Sequence, residues 1–217
     1  MLSKIKSVPS KIKNMSTKKK VIFSCIFILI LSLIIFSVFR VKKEIDKPTL
    51  TIMPIAPIES TDRNEFTLDM VLSDLPKNLY PAASVAITFD KNKLEFTGIK
   101  LGTMMAYGDK SADGNNLVSP TWSCNVQNSN IKGEIDAMYL DMTAGEYAYC
   151  SQGFDKKSKN VVLRLGFKLK DSAAKGDSYN IVFKDAVFAT VNGDEDKTSL
   201  AMNMNTLKTK NCKIAIK

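Results

Sequence analysis

Residues 161–193, VVLRLGFKLKDSAAKGDSYNIVFKDAVFATVNG, hold the pattern that decides the fold. Apolar residues over 161–169 alternate with charged ones, and this period of two is typical of a half-buried β-strand. Small and polar residues over 171–177 interrupt the alternation, and Gly176 can supply the positive φ that a tight reversal needs. The alternation then restarts over 179–183, so the stretch predicts two successive strands.

Similar short runs occur upstream, at 48–53, 66–72 and 85–89, and turn-forming Gly, Pro, Asn and Asp residues separate them. Helical periodicity is hard to find after residue 47. The remaining length, about 170 residues, is ample for one hydrophobic core and short for two. The sequence therefore predicts an all-β domain, an antiparallel β-sandwich, over 48–217.

The order of these patterns resembles that of the cohesin domain family. The resemblance covers residues 49–217 and includes the FKLKD strand end, the AAKG turn and the DAVFA run before Asn192-Gly193. Further upstream, a strand ending in an acid, a short turn and an LEF run with nearby glycines fit the same family; these are Asp90, Leu94, Glu95, Phe96, Gly98 and Gly102. The resemblance implies a jelly-roll β-sandwich that acts as a binding module, and thus recognition rather than catalysis.

An apolar segment precedes this domain. Residues 21–39, VIFSCIFILILSLIIFSVF, contain no charge and no proline, and as a helix they would be roughly 28 Å long, about the thickness of the bilayer hydrocarbon. The alternative is a cleaved signal peptide, which should have a shorter apolar region and end in a small-x-small site. This segment ends in Ser37-Val38-Phe39-Arg40, so we predict an uncleaved transmembrane helix.

Charge predicts the orientation of that helix. The basic tail, 1–20, holds seven lysines, and the linker, 40–47, holds four lysine or arginine residues. The positive-inside rule then places the N-terminus in the cytoplasm. We therefore expect a single-pass protein of the cell membrane, with the domain 48–217 extracellular.

The overall charge of +9 is confined to the N-terminal part of the chain. Residues 48–217 carry twenty basic and twenty acidic residues, a net charge of zero. A basic excess is the electrostatic signature of nucleic-acid binding, so nucleic acid is not predicted as a partner.

The chain contains no histidine, which excludes Ser-His-Asp and Cys-His catalysis and the common zinc sites. It also has no P-loop and no GxGxxG motif, so neither an enzyme nor a cofactor is predicted. The segment from Asp109 to Gly114 matches the first half of a calcium loop, but Pro120 occupies the position of the required bidentate acid. We interpret this segment, and the acidic run 194–196, as exposed turns rather than metal sites.

Three cysteines, Cys124, Cys150 and Cys212, lie in the predicted extracellular domain. An odd number leaves at least one without a partner in the chain. The resemblance would place Cys124 and Cys150 on neighbouring strands, where a disulfide is one alternative. The other alternative is that all three are small buried hydrophobic residues.

The resemblance also implies a binding site, because cohesins that bind dockerins use one sheet face. The runs TWSCNV, AMYLDMTAG and EYAYCSQGF match that face. Asp141 falls where such cohesins carry an acid that bonds the partner, Ala144 where they carry a glycine, and Asn125 in a strand that supplies polar contacts. Aromatic residues cluster in the same runs and either face a partner or fill the core; these are Trp122, Tyr139, Tyr147 and Tyr149.

Two functions follow from this interpretation. The first is a membrane-anchored extracellular module that captures a secreted, dockerin-like partner protein. The alternative is a carbohydrate-binding module that binds a polysaccharide, because sugar-binding sandwiches share this architecture and fold alone does not decide function. A lone tryptophan disfavours a wide, flat sugar-stacking platform.

Overall fold

The computed structural model describes residues 26–37, 39, 47–59, 63–108, 116–142, 147–190 and 199–217. The chain divides into two compact units, Met1–Asp46 and Lys47–Lys217. The second unit begins one residue before the domain boundary that the sequence predicts.

The first unit contains a helix, α1, at residues 26–37. Residues 21–25 and 38 of the predicted membrane segment lie outside the described residues. In the described part of the chain, no helix has both the length and the apolar character that crossing a bilayer requires. The transmembrane helix predicted over 21–39 is therefore not shown by the structure.

The second unit is built from strands. In chain order the described strands are β1 (Thr49–Pro54), β2 (Phe66–Leu72), β3 (Ala82–Thr88), β4 (Leu94–Leu101), β5 (Ala106–Gly108), β6 (Asn116–Val118), β7 (Trp122–Cys124), β8 (Glu134–Leu140), β9 (Tyr147–Ala148), β10 (Val161–Leu169), β11 (Ser178–Ala189), β12 (Leu200–Ala201), β13 (Lys208–Lys210) and β14 (Cys212–Ala215).

These strands form two large sheets and one small sheet. The five-stranded sheet has the order β13-β1-β2-β10-β4, and the six-stranded sheet has the order β12-β11-β3-β8-β7 with β14 also paired to β11. The small sheet has the order β6-β5-β9. All described pairs between strands are antiparallel except β1 with β13, which confirms the predicted antiparallel β-sandwich.

Residues 161–193 contain β10 and β11, and these strands lie in different sheets. The reversal between them therefore carries the chain from one sheet to the other. Gly176 adopts a φ of +86° in this reversal, as predicted. Strand β10 is more buried than a half-buried strand, because it lies between β2 and β4 in the interior of its sheet.

Inward-facing side chains of the two sheets form the core. Phe96 and Phe167 of the five-stranded sheet pack against Phe89, with ring centroids 6.4 Å and 5.4 Å from it. All three side chains are buried. Burial of apolar surface, to which these rings contribute, is the main favourable term in folding a domain.

One short helix, α2 (Val126–Lys132), follows β7 and was not predicted from the sequence. Asn125 caps it by accepting a hydrogen bond from the backbone N–H of Asn128 at 2.9 Å. Gly133 ends it with a φ of +75°, as left-handed glycines commonly end helices. The seven-residue helix is too short to give a periodic apolar pattern, so only its two caps mark it in the sequence.

Candidate protein-binding face

The outer face of the six-stranded sheet is the candidate functional site. Strands β11, β3 and β8 lie side by side there, and their register aligns residues in rows across the sheet. We call the outward residues of these strands, together with Ser123 of β7, the β3–β8 face. The rows run, in order along the sheet, through Val182–Thr88–Glu134, Asp185–Ala86–Asp136, Val187–Ser84–Met138–Ser123 and Ala189–Ala82–Leu140.

The first row is crossed by an ion pair. Lys184 of β11 reaches over β3, and its Nζ lies 2.7 Å and 2.9 Å from the two carboxylate oxygens of Glu134 on β8. This contact with Glu134 raises the pKa of Lys184. A cation held over β3 can therefore contact a carboxylate on β8.

A β-bulge in β11 determines which residue of this strand lies in the second row. The register between β11 and β3 shifts between Phe183 and Asp185, so that Lys184 is the extra residue and Asp185 faces Ala86. Strand β14 pairs with β11 only as far as Ile181, and the side-chain oxygen of Asn211 accepts the N–H of Phe183 at 2.9 Å. Asn211 thus satisfies a backbone donor beside the bulge, and the bulge directs Asp185 to the outer face.

Small side chains leave an open depression in the middle of the face. Its volume is about 390 Å³, and its lining includes Ser84, Ala86, Ser123, Asp136 and Asp185. The depression is therefore bordered by two carboxylates.

The other end of the face is apolar. Met138 and Leu140 are 53% and 54% exposed, and Met142 just beyond β8 is 84% exposed. A second depression of about 350 Å³ continues from Leu140 past Asp141 and Met142 to Tyr147. A row of exposed large apolar side chains on one surface is typical of protein interaction sites.

Two of the predicted contact residues do not belong to this face. Tyr149 is fully buried, and its hydroxyl accepts a hydrogen bond from the indole Nε1 of Trp122 at 2.7 Å. Trp122 is half-buried and packs against the core residue Tyr139 with ring centroids 6.3 Å apart. Tyr149 is therefore a core residue rather than a contact residue, whereas Trp122 is partly buried and packs against the core, because alternation along β7 and β8 points Trp122 and Tyr139 inward together.

Asp141 and Tyr147 lie beside the apolar end of the face. Tyr147 is 37% exposed, and its backbone N–H donates to Oδ2 of Asp141 at 3.1 Å. The hydroxyl of Tyr139 donates to the backbone oxygen of Tyr147. Asp141 therefore holds the backbone that follows residues 143–146, while Ala144 itself lies outside the described residues.

Asn125 is exposed at the edge of the central depression. Its side-chain oxygen is the cap of α2, which gives this residue a structural role. The amide nitrogen of its side chain forms no hydrogen bond with the described residues.

The cysteines do not form the disulfide that the resemblance offered as one alternative. Cys124, Cys150 and Cys212 are all free thiols. Cys124 lies in β7, which pairs with β8, whereas Cys150 follows β9, which pairs with β5. The two residues are thus not on neighbouring strands, and burial raises the pKa of the Cys124 thiol.

The contribution of β3 and β11 to the face was not predicted from the sequence. The signal was present in the run 84–88, where Ser84, Ala86 and Thr88 alternate with buried Val85 and Ile87. These small and polar residues mark an outer face, but alternation cannot show that β3 lies beside β8. The bulge that presents Asp185 also has no clear signature in the sequence.

No metal site is found among the residues that the structure describes, where no cluster of three or more acidic or cysteine side chains occurs. The segment 109–115, in which the calcium-loop pattern was noted, and the acidic run 194–196 lie outside the described residues.

Comparisons with known proteins agree with this architecture. A family model described as "Cohesin domain" matches residues 63–208. A search of curated proteins found no match.

Among solved structures, the chain is similar to the third cohesin of ScaC from Acetivibrio cellulolyticus, which was solved in complex with the ScaB dockerin. The identity is 18%, the TM-score is 0.54, and the match covers 78% of this chain and 98% of that one. The sixth cohesin of scaffoldin B from the same organism, solved with a Cel5 dockerin, is 21% identical with a TM-score of 0.53, covering 79% and 99%. The cohesin of OlpA from Clostridium thermocellum, solved with a dockerin, is 15% identical with a TM-score of 0.53, covering 79% and 100%. At these identities the structural matches establish the fold.

Proposed function

The chain belongs to the cohesin domain family, and we propose that it captures a dockerin-bearing secreted protein through the β3–β8 face. Cohesin domains are non-catalytic binding modules, so the chain is a recognition protein rather than an enzyme. The observation that carries the proposal is the row of exposed Met138 and Leu140 beside a depression lined by small side chains. Small residues let a partner's backbone approach the sheet, and the exposed apolar side chains supply surface to bury.

The experiment is a titration of the full-length chain with a panel of purified dockerin modules. Met138→Asp should weaken binding of any dockerin that the wild type binds by at least about tenfold, because a charge would be buried where an apolar contact is lost. Met204→Asp is the matched control, since Met204 is a similarly exposed methionine, at 57%, outside the β3–β8 face. No binding by any dockerin, or equal losses in both variants, would refute the proposal.

The carbohydrate alternative lacks a supporting observation. A sugar-stacking platform needs aromatic rings on the surface, but Trp122, Tyr139 and Tyr149 pack with the core and only Tyr147 of the predicted aromatic group is exposed. Saturable binding of a polysaccharide by the full-length chain would favour the carbohydrate-binding function over dockerin capture.

We also propose that residues 21–39 anchor the protein in the cell membrane, with the N-terminus in the cytoplasm and the domain outside. Support comes from the uncharged apolar run and from the excess of lysine in residues 1–20 over residues 40–47. Protease added to intact cells should remove the domain while leaving a membrane-embedded fragment. Protection of the domain, or its release as a soluble protein without cleavage, would contradict this topology.

A further inference from the structure

Building on the proposed function, we propose that Asp136 and Asp185 form a seat for one basic side chain of the partner. The cation, which we assign as an arginine or lysine, would lie over Ala86 between the two carboxylates. The partner's apolar side chains would then lie on Met138 and Leu140, which fixes the direction of the partner along the face. This inference concerns which partners the face selects, beyond the proposal that it binds one.

The spacing of the row suits a single cation. Asp185, Ala86 and Asp136 lie opposite one another on three adjacent strands, and each step between strands is about 4.8 Å. The two Cα atoms are thus roughly 10 Å apart, with the smallest chiral side chain between them. Carboxylates extending from both sides leave room for a guanidinium or ammonium group, which can donate hydrogen bonds to each.

The neighbouring row, Val182–Thr88–Glu134, already has a cation bound to its carboxylate. Lys184 lies across Thr88 and bonds Glu134 at 2.7 Å, so its charge is engaged one row away from the seat. In the next row both flanking residues are acids. The site proposed for the partner's cation is therefore the equivalent of the position that Lys184 occupies within the chain.

Asp136 and Asp185 have no salt-bridge partner in the described part of the chain, although the charge of Lys184 also acts electrostatically on Asp136, more weakly than on Glu134. One oxygen of Asp185 accepts the N–H of Ala186 at 2.9 Å, which orients the side chain without cancelling its charge.

The negative charge of Asp136 and Asp185 should determine which partners can bind the face. Any partner that covers the depression must remove both carboxylates from water, because both line it. Burying an unpaired carboxylate costs several kcal/mol, whereas a matching cation offsets that cost. The face should therefore reject partners that place a neutral or acidic residue over Ala86, and accept those that place a basic residue there.

The test uses the immobilised full-length chain and a phage-displayed library of amphipathic helical peptides with all residue types at each exposed position. Retained peptides should carry an arginine or lysine next to apolar residues. Neutralising one carboxylate, in Asp136→Asn or Asp185→Asn, should reduce retention of these peptides by about tenfold, and the double variant by about a hundredfold. The double lysine variant, Asp136→Lys with Asp185→Lys, should instead retain peptides with acidic residues.

The matched control is the double variant Asp74→Asn with Glu95→Gln, which removes the same charge from exposed sites outside the face. It should retain the same basic peptides as the wild type, and circular dichroism should show that all variants are folded. The inference is overturned if the wild type does not enrich basic residues, or if the Asn double variant enriches them equally. Dockerin binding without selection of basic residues would overturn the seat and leave the proposed function standing. Selection of basic peptides without any dockerin binding would refute the proposed function and leave the seat standing.

Discussion

The indole nitrogen of Trp122 and the hydroxyl oxygen of Tyr149 are joined by a hydrogen bond of 2.7 Å. The bond links β7, an edge strand of the six-stranded sheet, to the residue that follows β9 in the small sheet. Tyr149 also packs edge-on against Tyr139 and Phe188, with ring centroids 5.1 Å and 5.9 Å away. Trp122 and Tyr149, which the sequence offered as part of a binding surface, thus pack with the core, whereas Tyr147 is exposed.

Replacing Trp122 with phenylalanine should destabilise the domain by about 1–3 kcal/mol, because the buried Tyr149 hydroxyl loses its hydrogen-bond donor. Urea denaturation of the full-length chain measures the loss. The control is Trp122→Phe combined with Tyr149→Phe, which removes the orphaned hydroxyl as well. The double variant should be no less stable than Trp122→Phe alone. If the loss of stability in the double variant instead equals the sum of the losses in Trp122→Phe and Tyr149→Phe, the hydrogen bond contributes nothing.

Asn130 of α2 forms two hydrogen bonds with one backbone unit of β4. Its side-chain oxygen accepts the N–H of Phe96 at 2.8 Å, and its nitrogen donates to the carbonyl oxygen of Phe96 at 2.8 Å. The side chain takes the place of a neighbouring strand at the edge of the five-stranded sheet. Asn130→Ala should therefore cost about 2 kcal/mol in free energy of unfolding, since both groups lose their partner. Gln127→Ala, at an exposed position of the same helix, should change it by less than about 0.5 kcal/mol.

Alternation of side chains carried most of the fold prediction. Strand β11 is buried at alternate positions on either side of its bulge, whereas β10 is a strand as predicted but is buried at nearly every position, and Gly176 has the positive φ that its place in the reversal requires. Such local patterns depend on the pleat of a single strand and on the conformations open to one residue. They are therefore legible in the sequence without knowledge of the partner strands.

The site was less predictable because it depends on which strands are neighbours. In the runs that contain Trp122 and Tyr149, the sequence could not show which side chains point inward. Asp185 reaches the face only through the β11 bulge, and Ala86 only through the pairing of β3 with β8. Each of these is a long-range relationship that a one-residue change of register would reverse.

Gly102 should be more sensitive to substitution than Gly176. A Cβ atom on Gly102 would lie 1.9 Å from the carbonyl oxygen of Val161, which itself accepts the N–H groups of Thr103 and Met104 at 2.8 Å and 2.9 Å. The backbone cannot move away without breaking these bonds, so Gly102→Ala should cost about 3 kcal/mol or more. A Cβ on Gly176 would have no atom within 4 Å, and Gly176→Ala should cost only about 1 kcal/mol for its positive φ. Thermal unfolding of the two variants gives the comparison, and equal losses would show that the close approach at Gly102 relaxes.

The domain should lose stability in alkaline solution, and Tyr139 should account for part of the loss. Burial, with a smaller contribution from Asp141, raises the pKa of Tyr139 to about 12, whereas the unfolded chain should have an ordinary tyrosine pKa of about 10. The protonated hydroxyl is the form that the fold favours, because it is buried and donates to the backbone oxygen of Tyr147.

Since the folded-state pKa is the higher one, this contribution is fully present below pH 10 and is lost as the pH rises from about 10 to 12. Within that range the unfolded chain releases a proton that the folded chain keeps, which lowers the free energy of unfolding by up to about 1.4 kcal/mol per pH unit. Tyr139→Phe should reduce the slope of stability against pH between 10 and 12 by about this amount. Tyr179→Phe should have a similar effect, because burial and the adjacent Asp177 carboxylate also raise the pKa of Tyr179 to about 12. Urea denaturation at a series of pH values measures the slope, and an unchanged slope in Tyr139→Phe would show that this hydroxyl ionises as readily in the folded chain as in the unfolded one.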